Sequence, residues 1–101
     1  MVRDVSVKVE ERRVFVYILP RERGLSVFKR LLDYIKVNPV RVFSVDGDFS
    51  NGDFTIDAVI LADDFGLMFV CNRWECTLRL EARPETAKGI ASYLGLPWRF
   101  A

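Results

Sequence analysis

Asp46, Asp48 and Asp57 are the residues of this chain best placed to do chemistry, because one turn signal brings them together. Asn51-Gly52 is the strongest hairpin signal in the sequence, since a two-residue type I′ turn needs positive φ at both central positions. With that turn, Ser50 faces Asp53 and facing residues carry numbers summing to 103. Asp46 then lies opposite Asp57, with Asp48 one pleat away on the same face. Like charges at facing positions destabilise a sheet unless something offsets them.

Three things offset such a cluster: a hard cation, a basic surface, or open water around a hairpin tip. Mg²⁺ and Ca²⁺ take carboxylate oxygens, and DGDFSNGD echoes a calcium loop. The glycine, however, falls at position 7 rather than 6, Ser50 occupies the fifth position, and no Glu stands at the twelfth. Asp46, Asp48 and Asp57 are the only metal candidates, and no cofactor is expected. The chain has no histidine, the side chain that most often moves protons near neutral pH, and only two cysteines. A zinc site is excluded on ligand count, no nucleophile stands beside a base, and no catalytic residue is assigned. Asp64-Phe65-Gly66 spells the kinase metal-binding triplet, but 101 residues hold no kinase and the accompanying motifs are missing, so it reads as a turn.

The acidic cluster belongs to a wider segregation of charge. Residues 1–41 hold ten Lys/Arg against five acids, residues 42–64 hold six Asp and no cation, and the whole chain nets only +1. Separated charge of this size acts on partners in a way the average conceals. Arg12, Arg13, Arg21, Arg23, Lys29 and Arg30, with Phe15 and Tyr17 nearby, are the candidates for a phosphate-tracking surface with stacking rings. Glu10, Glu11 and Glu22 weaken its field, and no nucleic-acid motif accompanies it.

The elements that position these residues follow from periodicity. Residues 4–9 and 14–19 are β-branched and alternate or run apolar about a polar turn, predicting a first hairpin. Residues 25–37 place Val27, Phe28, Leu31, Leu32 and Ile35 on one face of a helix that Asn38-Pro39 ends. Strands are expected over 40–49, 53–62, 66–71 and 74–82, and a second helix runs from Pro84 to a Gly95 C-cap followed by Leu96. The expected architecture is a single α+β domain over residues 1–101: an antiparallel sheet of about six strands with two helices, in the order ββαββββα. In element order alone this resembles helix-grip or TBP-like folds, and less closely profilin, longin or PAS domains. No motif is shared, so the resemblance implies no function.

Carrying the register through turns near Asp64-Phe65 and Asn72-Arg73 puts Phe43, Val45, Phe54, Ile56, Ala58, Ile60, Leu67, Phe69, Trp74, Cys76, Leu78 and Leu80 on a core face. Cys71 and Cys76 fall diagonally on neighbouring strands, which suits two buried thiols better than a disulfide. The last strand turns Glu75, Thr77, Arg79 and Glu81 outward as a solvated edge. Val42, Val59, Leu61, Met68 and Val70 share the face opposite the core. Either the second helix covers them, or they form a partner interface.

The absence of a long apolar run or signal-like start predicts a cytoplasmic protein with no membrane association. The lack of Gln and the excess of Arg over Lys suit a thermophilic source. The expectation is a small intracellular non-catalytic interaction module, a homodimer or a subunit of a larger assembly, using the apolar patch and the acidic hairpin as contact surfaces. The alternatives are a nucleic-acid-associated protein using the basic N-terminal residues, and a divalent-metal-dependent enzyme or ligand binder at the Asp cluster.

Overall fold

A computed structural model describes residues 11–48 and 54–97. These form an α+β fold in the order β1 (Arg13–Pro20), α1 (Arg21–Val37), β2 (Val42–Asp48), β3 (Thr55–Leu61), β4 (Phe65–Cys71), β5 (Glu75–Ala82) and α2 (Pro84–Leu94). The described sheet has five antiparallel strands where about six were expected; the strand predicted over 4–9 and the Asn51-Gly52 turn lie outside the described residues.

Strand order is β1-β5-β4-β3-β2. The chain leaves β1 at one edge, crosses the sheet on α1, and meanders back through β2 to β5 until β5 pairs with β1 along its full length. Opposite edges of a five-stranded sheet are roughly 19 Å apart at about 4.8 Å per strand. Seventeen helical residues reach about 25 Å, so α1 is long enough to make the crossing. Because β5 lies between β1 and β4, its Glu75, Arg79 and Glu81 sit inside the sheet and not at the solvated edge the sequence suggested.

Both helices pack on the same side. Phe28 of α1 stacks on Phe69 of β4 at 5.4 Å, and Tyr34 meets Phe65 and Tyr93 edge-on, tying α1 to the sheet and to α2. Ala87, Ile90, Ala91 and Leu94 of α2 are buried with Leu78, Leu80 and Ala82 of β5 in one core. The α2 stop is the expected one: Gly95 is left-handed (φ 74°), the Leu96 amide donates to the Ala91 carbonyl at 2.8 Å, and Leu96 is buried.

The expected β2–β3 register holds, with Phe43 opposite Ile60 and Asp46 opposite Asp57. The other two turns are displaced by one residue each. Ala62 closes onto Phe65 around Asp63-Asp64, and Asn72 onto Glu75 around Arg73-Trp74. The Asn72 side-chain carbonyl accepts from the Trp74 and Glu75 amides at 2.8 Å, which fixes Asn72 as the residue before the tip instead of in it. Such displacements keep every residue on its assigned face but change its neighbour. Cys71 therefore lies directly opposite Cys76, with Cα atoms 4.0 Å apart, and the two form a disulfide where buried thiols were expected. Trp74, assigned to the core by the misplaced turn, stands at the tip, 79% exposed.

Candidate interaction surface

With both helices on one side, no described element covers the other side of the sheet. β1 presents Val14, Val16 and Ile18 there, all exposed, although its unbroken apolar run VFVYIL reads as a strand buried on both sides. Across the sheet, β4 presents Met68 and Val70, β3 presents Leu61 and the partly buried Val59, and β2 presents Val42. The five residues expected to share a face therefore do so: Val42 pairs with Leu61, and Val59 with Met68.

The pattern of this face is two apolar strips and a polar column. The column is β5, whose Glu81, Arg79 and Thr77 stand between the Val14-Val16-Ile18 strip and the larger strip of β2, β3 and β4. Arg79 has Val16 on one side and Met68 on the other, and Thr77 lies between Ile18 and Val70. A shallow depression bounded by Val59, Leu61, Gly66, Met68, Arg79 and Glu81 joins the column to the larger strip. An uncovered sheet side this rich in Val, Ile, Leu and Met differs from the scattered surface hydrophobics that need no explanation.

Charge on the face is mostly acidic. Among the residues of the described strands, Glu75, Glu81, Asp46, Asp48 and Asp57 share it with Arg79. Asp46 and Asp57 are both exposed, face one another, and pair with no described cation. With Asp48, Thr55, Val70 and Asn72 they edge an open hollow at the end of the β2–β3 pair. Among the described residues no group of three or more His, Cys, Asp or Glu side chains comes close enough together to hold a metal ion.

The basic candidates are placed differently. Phe15 and Tyr17 point to the helix side and pack partly buried against the core, and burial raises the Tyr17 phenol above its ordinary pKa. Arg12 donates to the Asp63 carbonyl and Arg13 lies 4.0 Å from Glu11. Arg21 donates to the Asn72 carbonyl and sits 4.0 Å over the Phe54 ring, and Arg23 donates to the Gly95 carbonyl at 2.8 Å. Lys29 and Arg30 are exposed on α1. The eight thus do not share one surface: three of the arginines hold backbone carbonyls that tie elements together, and the two rings belong to the packed side.

Sequence reasoning missed Val14, Val16 and Ile18 as part of the patch. The available signal was weak: VFVYIL is an unbroken apolar run in which β-branched residues alternate with larger ones, a pattern that fits one buried and one open face as readily as two buried ones.

No protein-family model, curated protein or solved structure matches the chain. What the described residues define is an α+β fold whose five-stranded antiparallel sheet carries both described helices on one side. No helix among the described residues is long and apolar enough to cross a membrane.

Proposed function

We propose that the protein is a small non-catalytic interaction module that holds another protein on its open sheet face. The observation that carries this reading is the apolar content of that face: Val14, Val16, Ile18, Val42, Leu61, Met68 and Val70 all remain exposed, while Ile56, Ala58, Ile60, Leu67 and Phe69 on the reverse side of β3 and β4 are buried in the core. Burying such residues stabilises an association by about 25 cal/mol per Å² of apolar surface before the costs of binding are subtracted.

The charge on the face selects the partner. Among the residues of the described strands, five carboxylates against one guanidinium disfavour this face docking on a copy of itself, since like potentials would meet. A partner presenting an apolar ridge flanked by Lys or Arg satisfies both the strips and the Asp46–Asp57 corner.

The test is residue-resolved protection. The full chain, alone and returned to an extract of its own cells, is labelled with hydroxyl radicals. Val16, Leu61 and Met68 are expected to be protected in the extract while Trp74 and Tyr93, exposed away from the face, label equally in both. Met68→Asp should abolish the protection without altering the fold. Equal labelling of Met68 in both samples refutes the reading.

A further inference from the structure

Natural sheets blunt their edge strands with Lys, Pro, bulges or covering elements, because an open edge recruits another strand. β2 has none of these among the described residues. Its sequence VFSVDGD lacks Lys and Pro, its seven pairs with β3 run without a bulge, and every residue of it is exposed. The helix layer also stops short of it. On the side that faces the helices, Ile56, Ala58 and Ile60 of β3 are fully buried, whereas Phe43 and Val45 of β2 are 44% and 43% exposed. The apolar layer runs on past the helices and ends uncapped at the edge.

We propose that β2 is the seam of a symmetric dimer, in which β2 of a second copy pairs antiparallel with it across a two-fold axis perpendicular to the sheet. The ten described strands of the two copies then form one continuous sheet. The inference is independent of whether the open face binds a partner.

Two features of β2 favour a second copy over a foreign strand. The first is self-complementarity. A two-fold axis pairs residues of like parity, so helix-side residues meet helix-side residues. Centred on Ser44, the axis sets Phe43 opposite Val45 of the second copy and Val45 opposite its Phe43, two aromatic–β-branched pairs of the kind that stabilise antiparallel ladders. The uncapped residues of each copy cover those of the other. The second is charge. β2 ends in Asp46 and Asp48 and is entered from Arg41. Antiparallel pairing lays the acidic end of one strand beside the basic entry of the other, whereas parallel pairing would set the carboxylates side by side.

The full chain is examined by light scattering after gel filtration, with Ser44→Cys, Met68→Cys and Val45→Lys variants, each checked for native circular dichroism. The expected mass is twice 11.7 kDa. Ser44→Cys places two thiols face to face on the axis, within the Cβ separation a disulfide spans, and should convert nearly completely to a covalent dimer under mild oxidation. Met68→Cys, on the open face, should not. Val45→Lys should weaken association at least tenfold. A parent chain that stays monomeric at its highest soluble concentration overturns the proposal. So does a dimer that survives Val45→Lys and cross-links through Met68→Cys instead, since self-association would then use the open face.

Discussion

Gly24→Ala should destabilise the protein, although intrinsic helix propensity alone says the opposite. Gly24 lies in the first turns of α1, where replacing Gly by Ala normally gains up to about 1 kcal/mol. Here the helix backbone rests directly on the Cys71–Cys76 disulfide. A Cβ on residue 24 would overlap the Cys76 sulfur, and would stand 2.5 Å from Cys76 Cβ and 3.5 Å from the Cys71 sulfur. Carbon pairs sit comfortably at about 3.5–4.0 Å, so helix and hairpin must part by about 1 Å. Neither partner gives easily. The obstructing atoms are a cross-strand bridge and not the end of a flexible side chain. The start of α1 is also held by Arg21 on the Asn72 carbonyl and on Phe54, and by Arg23 on the Gly95 carbonyl.

Overpacking of this kind costs about 1–3 kcal/mol, which set against the propensity gain leaves a net loss of up to about 2 kcal/mol. In a chain of this size that lowers Tm by up to about 16 °C. The control is Gly89→Ala in α2, where an added Cβ meets nothing within 4 Å; propensity acts alone there and stability should rise by about 0.5–1 kcal/mol. Urea titrations followed by far-UV circular dichroism, compared at constant m-value, read both differences. If Gly24→Ala matches or exceeds the parent, or if both substitutions shift the midpoint the same way, the close approach of α1 to the disulfide is wrong.

The bond itself closes a ring only from Cys71 to Cys76, so replacing both cysteines by alanine should cost about 2 kcal/mol from loop-closure entropy, measured by the same titrations; an intact mass that does not increase on reduction would show the bond is not formed. Asp57→Asn relieves the facing carboxylates and should stabilise the isolated chain by a few tenths of a kcal/mol at low salt, a gain that shrinks as salt is added. Tyr34 is held above its ordinary pKa of 10.0 first by burial and then by the Asp64 carboxylate, and Tyr17 by burial. Both phenols keep their protons longer in the folded chain than in the unfolded one, so the stability they contribute is intact below about pH 10 and is lost as pH rises above it. Absorbance titration of the tyrosines should show a lower Tyr34 midpoint in Asp64→Asn; an unchanged curve would count against that contact.

Periodicity made most of the fold legible. The α1 stripe, the α2 stripe with its glycine stop, and the faces of β3, β4 and β5 all follow from local patterning, which tertiary packing here reinforces. What the sequence hid is non-local or turns on one residue. The return of β5 to β1 leaves no local mark, so β5 read as an edge. The choice between Asn72 inside a turn tip and before it rests on one side chain's hydrogen bonds, yet it decides whether Cys71 meets Cys76 squarely. The sharing of one sheet side by both helices was open for a similar reason: an amphipathic stripe says that a helix buries a face, and not which side of the sheet it chooses. The open patch was legible in part, because Val42, Val59, Leu61, Met68 and Val70 alternate with core residues on strands whose register the turns define. Val14, Val16 and Ile18 joined it only once the side of the helices was known.

The segregated charge takes a definite form in the folded chain. The acidic block 42–64 becomes β2 and β3, one flank of the sheet, while residues 11–41 become the opposite edge and the helix that crosses it. Several of the described basic residues are engaged away from the acidic corner. Arg41 pairs with the Asp63 carboxylate and Arg12 donates to the Asp63 backbone carbonyl, so two cations converge on one loop residue. Arg21 and Arg23 brace elements, and Lys29, Arg30 and Lys36 lie on the far side of the sheet. Sheet and helix layers are about 10 Å apart, comparable to the screening length at physiological salt, so those cations do little for Asp46 and Asp57. Among the described residues no cation pairs with Asp46 or Asp57, and a partner is expected to bring one. The same substitution should then read with opposite signs in two assays: Asp57→Asn stabilises the free chain and weakens the complex, as expected of a residue kept for binding at a cost to stability.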